Sequence, residues 1–167
     1  MGQGTYKIYD LGRGAAVTPT TFKGLLFSED QEVLSTMSRA LESSAIDTEV
    51  ALSLADVSLM LEQHTFDAIF VDFKDAEVAS HVLYSIRGSI IHREAIVMSI
   101  NGDSGSLSQA FGLGVKLSMP RPKTVDSAVR CLRSCCAFLA QQRQKALPQD
   151  VPVAAGGKSE QAYKVSA

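Results

Sequence analysis

The sequence predicts a doubly wound α/β fold, a five-stranded parallel sheet with helices on both faces. Short apolar runs alternate with stretches of helical periodicity five times along the chain, which is the rhythm of successive strand–helix units. Several of those runs stop at a polar residue: Phe27 is followed by Ser28, Val71 by Asp72 and Met98 by Ser99. With 167 residues, 46% of them hydrophobic and 20% charged, the chain is long enough for one domain with a sizeable core.

Each element has its own signal. The first strand is Gly24 to Phe27, ending at Ser28-Glu29-Asp30, and Asp30 is placed to cap a helix whose apolar face is Val33, Leu34, Met37, Ala40 and Leu41. A weaker strand covers Thr48 to Leu52, and the helix after it begins near Ser53 with Leu54, Val57 and Leu61 on one side. Ala68 to Asp72 is the clearest strand, four buried-type residues closed by a carboxylate. Val78, Val82 and Ile86 mark the third helix, and Ala95 to Met98 the fourth strand, ending at Ser99. A short helix spans Leu107 to Phe111, and the fifth strand is Val115 to Ser118, with Pro120 and Pro122 enforcing an extended turn. Val125, Val129, Leu132, Cys136 and Leu139 then recur at helical spacing in a last helix that reaches Lys145. Residues 1–21, rich in Gly and Thr, read as a flexible arm, 22–145 as the domain, and 146–167 as a disordered tail.

Composition excludes several function classes. Sixteen Lys and Arg against 18 Asp and Glu leave a net charge of -2, which argues against a general polyanion binder. Arg121, Lys123, Arg130, Arg133, Arg143 and Lys145 make the C-terminal part basic, but without a helix-turn-helix or interleaved aromatics, so no direct nucleic-acid contact is expected. No apolar run approaches the roughly 18 residues of a membrane span, and the N-terminus lacks a secretory pattern, so no membrane association and a cytoplasmic location are expected. Cys131, Cys135 and Cys136 crowd into one helical segment and read as reduced packing thiols; His64, His81 and His92 form no ligand pair.

In an open parallel sheet the site lies beyond the carboxyl ends of the strands, where Ser28, Glu29, Asp72, Ser99, and Met119 with Pro120 should converge. Carboxylates from two strands suit a hard divalent ion such as Mg²⁺, and Asp72 beside it is a conceivable nucleophile toward a phosphoryl group. Asp72 reads equally as a loop or helix cap, and Glu29 and Asp30 as first-turn acids favoured by the helix dipole. Gly102-Asp103-Ser104-Gly105 lacks the ending of a phosphate loop and reads as a flexible loop after the fourth strand.

Four ordered motifs resemble the receiver domain of two-component response regulators: Leu25-Leu26-Phe27-Ser28-Glu29-Asp30, Phe66-Asp67-Ala68-Ile69-Phe70-Val71-Asp72, Ile96-Val97-Met98-Ser99 and Leu117-Ser118-Met119-Pro120. The resemblance implies a flavodoxin-like, CheY-like (βα)5 fold and a non-enzymatic signalling module of a bacterial phosphorelay. It implies a phosphoacceptor at Asp72, Mg²⁺ held by Glu29, Asp72 and the main-chain carbonyl of Lys74, and a phosphoryl contact from Ser99. The family's strand-one acidic pair falls on Ser28 and Glu29, so that Ser28 leaves one carboxylate of the two, its switch aromatic falls near Lys116 and its lysine before proline on Met119. These three departures make the chain similar to a divergent receiver or pseudo-receiver, such as the modules that some bacterial proteins carry ahead of a PilZ domain. Weak or phosphorylation-independent action through a protein partner is then expected, a histidine kinase or an output protein docking on the fourth helix, fifth strand and fifth helix. The last helix could also pair with a copy of itself. The alternative is a small flavodoxin-like protein that binds a nucleotide or cofactor.

Overall fold

A computed structural model describes residues 21–147; nearly all of the predicted arm and of the predicted tail lies outside the described residues. Five strands and five helices alternate: β1 Phe22–Phe27, α1 Gln31–Ser43, β2 Ile46–Ala51, α2 Leu54–Gln63, β3 Ala68–Asp72, α3 Ala76–Gly88, β4 Ile96–Asn101, α4 Ser104–Gly112, β5 Leu117–Pro120 and α5 Val125–Ala146. All strand pairs are parallel and the sheet order is β2-β1-β3-β4-β5. The order reverses at β1, so the ends of β1 and β3 flank the crevice where such sheets place a site.

Side-chain alternation along the strands builds two cores. Leu25, Phe27, Ile69, Val71 and Val97 face one side, where α2, α3 and α4 bring Val57, Leu61, Val82, Leu83, Ile86 and Ala110. Leu26, Phe70, Met98, Ile100 and Met119 face the other, against Val33, Met37 and Leu41 of α1 and Leu132, Cys135 and Leu139 of α5. Both faces of the sheet are covered, which is why its central strands read as unbroken apolar runs. Gly24 is required where β1 meets β2, because a Cβ there would lie 2.9 Å from Cγ2 of Ile46.

Local chemistry starts every helix. Asp30, Ser53, Asp75, Asp103 and Thr124 are the N-caps, each accepting a hydrogen bond from a first-turn N–H, and Thr124 forms a reciprocal capping box with Ser127. The cap expected at Asp30 is present.

Strand ends differ from the sequence reading in a way that matters for the site. β4 does not stop at Ser99 but continues to Asn101, and β5 runs over Leu117–Pro120 rather than Val115 to Ser118. A polar side chain looks like the end of a buried strand, yet the ladder is made by backbone groups and continues while neighbours remain on both sides. Here Val71 and Asp72 of β3 and Ser118 through Pro120 of β5 supply them.

Candidate functional site

At the carboxyl edge of the sheet, Asp72 is the last residue of β3, and its side chain is only 2% exposed. Register sets its surroundings: Asp72 pairs with Ile100, which belongs to the core against α1 and α5. Ser28 and Arg121 stand two residues beyond Leu26 and Met119 of that same core, and both reach Asp72.

Both carboxylate oxygens are fully used. Oδ1 accepts from Nη1 of Arg121 at 2.6 Å and from the backbone N–H of Lys74 at 3.0 Å. Oδ2 accepts from the Ser28 hydroxyl at 2.7 Å and from Nη2 of Arg121 at 3.3 Å. Four donors match the roughly four lone-pair sites of an ionised carboxylate. The Arg121 fork also reaches Oδ2 of Asp30 at 2.9 Å, and Nζ of Lys74 reaches the same oxygen at 3.1 Å. Hydrogen bonding from Lys74, together with the N–H groups of Glu32 and Val33, holds the Asp30 carboxyl below its ordinary pKa. The charges of Asp72 and Asp30 are therefore balanced by those of Arg121 and Lys74.

The other expected residues scatter. Glu29 is exposed and lines a cavity of about 440 Å³ with Phe27, Asp72, Lys74, Asp75 and Val78. Ser99 is fully buried and pairs with Val71, on the opposite face of the sheet from Asp72, and its hydroxyl has no hydrogen-bond partner among the described residues. Lys116 is exposed, beside a groove between α4 and β5. Met119 is 1% exposed within the core, so the position expected to correspond to the family's lysine is filled by a core residue.

Two residues escaped the sequence reading. Arg121 precedes Pro122 just as Met119 precedes Pro120, and the choice between the two depended on where β5 ends. Asn101, which ends β4, accepts from the Ser118 hydroxyl at 3.1 Å and faces Ser106 at 3.4 Å, a polar cluster on the α4 side. The available signal for Arg121 was a basic residue immediately before a proline after the last strand; for Asn101 it was the apolar Ile100 after Ser99, showing the run had not ended.

The divalent ion implied by the resemblance does not fit this arrangement. A magnesium ion requires open oxygen lone pairs in near-octahedral array, and those of Asp72 are taken by Ser28, Lys74 and a guanidinium. No cluster of three or more His, Cys, Asp or Glu suited to a metal occurs among the described residues. The cysteines are free, and burial pushes the Cys135 thiol up to about 12, which makes it a packing group rather than a metal-binding thiolate. No helix among the described residues is long and apolar enough to cross a membrane.

No protein-family model and no curated protein matches the chain. Solved structures do. The chemotaxis response regulator CheY4 of Vibrio cholerae superposes with a TM-score of 0.62 at 13% identity, over 69% of this chain and 98% of that one. A response regulator from Thermotoga maritima gives 0.60 at 17% identity, covering 71% and 99% of the two chains. NtrX from Brucella abortus gives 0.65 at 14% identity, over 75% of this chain and 29% of the longer NtrX. The fold is that of CheY-like receiver domains, the doubly wound five-stranded parallel sheet expected from the sequence.

Proposed function

We propose that this chain, which has the fold of the CheY-like receiver domains, is a cytoplasmic signalling module that acts by binding a protein partner without phosphorylation of Asp72. The observation that carries this is the bonding of Asp72: a buried carboxylate whose two oxygens hold four donors has no free lone pair to attack a phosphoryl group. Ser99, the expected phosphoryl contact, supports the same reading from the far face of the sheet. Residues 22–145 form the module in this reading. Its docking surface is the groove of about 570 Å³ between α4 and β5, where Phe111 is 50% exposed beside Leu107, Lys116 and Leu117. A histidine kinase or an output protein is the expected class of partner.

A nucleotide-binding role is disfavoured by the turn after β1. A phosphate would need the first N–H groups of α1, and Asp30 already accepts those of Glu32 and Val33.

Intact-mass analysis after incubation with acetyl phosphate and Mg²⁺, beside Asp72→Asn, tests the proposal. No adduct is expected under conditions that label an ordinary receiver. A Mg²⁺-dependent adduct lost in Asp72→Asn would return the site to a working phosphoacceptor. Affinity capture followed by mass spectrometry should then find one partner retained by Asp72→Asn and lost with Phe111→Asp.

A further inference from the structure

We infer that Arg121 is the resident cation of this edge, holding the Asp72 oxygens that a divalent ion would need, and that removing it opens a divalent-ion site. This rests on the receiver-like reading only for the identity of the ion displaced. The charges explain the rest. Asp72 and Asp30 are the two carboxylates bonded here, and the Arg121 fork touches both, at 2.6 Å and 2.9 Å. A lysine, as a compact point charge, would not span them in this bidentate way; the planar guanidinium does.

Ser28 is the complementary half of the same exchange. A second carboxylate at 2.7 Å from Oδ2 of Asp72 would need a multivalent cation to screen it, whereas a hydroxyl donates to that oxygen and adds no charge. With one acid absent and one guanidinium present, Asp72 and Asp30 are balanced by cations of the protein itself. An entering ion would meet the charges of Arg121 and Lys74, and the carboxylates beside it outside those ion pairs are exposed Glu29 and Asp75, the latter already accepting the N–H groups of Glu77 and Val78. Without Arg121, Asp72, Asp30 and Glu29 would be left with only Lys74 opposing them.

Mn²⁺ is the probe, followed on the full chain by the electron paramagnetic resonance of free ion and by water-proton relaxation. The wild-type protein should show no saturable binding in the millimolar range. Arg121→Ala and Arg121→Gln should each bind Mn²⁺ about tenfold or more tighter than wild type, because a unit positive charge has left the site. Adding Asp72→Asn to either should abolish the gain. Saturable binding to the wild type that Asp72→Asn removes would overturn the inference, and this measurement needs neither arginine variant to fold. So would Arg121→Ala or Arg121→Gln that is folded by circular dichroism yet binds no better than wild type. Partner capture reads no ion, so this result and the signalling role fail separately.

Discussion

The hydroxyl of Ser28 donates a 2.7 Å hydrogen bond to Oδ2 of Asp72, joining the end of β1 to the end of β3 inside the protein. Ser28 also accepts the backbone N–H of Asp30 at 3.0 Å, so one buried hydroxyl fixes both the acid and the turn that caps α1. Ser28→Ala should therefore cost about 1–3 kcal/mol, the penalty for leaving a buried charged acceptor short of a donor. Urea denaturation checks this, and a loss below a few tenths of a kcal/mol would mean that water replaces the hydroxyl.

The Arg121 and Asp72 pair should show strong coupling in a double-mutant cycle. Arg121→Ala strands a carboxylate that is 2% exposed and should cost about 3 kcal/mol, whereas Asp72→Asn removes the charge together with its need for a partner and should cost less. In the double variant, the loss should be smaller than the sum of the two. Additive losses would show that the ion pair contributes no coupling to stability.

Ala45 sits after α1 with φ of 58°, in the left-handed region, and its N–H bonds to the carbonyl of Glu42. A Cβ is unfavourable there and glycine is the residue helices prefer at this point. Ala45→Gly should raise stability by about 0.5–1 kcal/mol, read as a higher urea midpoint at unchanged m-value.

His92 should make stability fall in mild acid. Its ring is fully buried, Nδ1 lies 2.8 Å from the Ser89 hydroxyl, and the ring of Phe66 is 5.7 Å away. Burial holds its pKa below the ordinary 6.5. Above 6.5 both folded and unfolded chains are neutral at this position; as pH drops below it the unfolded chain takes up a proton that the folded one resists, and stability is lost. Urea midpoints measured from about pH 8 to about pH 5 should decline, and His92→Gln should flatten that decline. Asp30, also with a lowered pKa, acts in a separate window: its contribution is present above its ordinary 3.8 and is lost only as pH falls through its lower folded value.

The fold was legible because it rests on local periodicity. Leu25 through Phe27 and Ala68 through Val71 read as strands from composition alone, and Val33, Leu34, Met37, Ala40 and Leu41 give α1 the spacing that the structure buries against the sheet. Strand ends were not legible to the same degree. Ser99 and Ser118 look like stops, yet they pair with each other inside the sheet, because neighbouring backbones and not side-chain polarity decide how far a buried ladder runs. That two-residue difference separates Met119 from Arg121 and Ser99 from Asn101.

What the sequence by itself determined is the order of elements, the cap of α1 at Asp30 and the presence of a carboxylate where β3 ends. Each depends on residues within a turn or two of one another, so pattern is enough. What only the tertiary structure decided is the state of that carboxylate. Ser28 and Arg121 lie 44 and 49 residues from Asp72 along the chain, and no periodicity links them. Their meeting follows from sheet order, from strand register to a single residue, and from the reach of a guanidinium, so the partners of Asp72 could be identified only after folding brought three strand ends together.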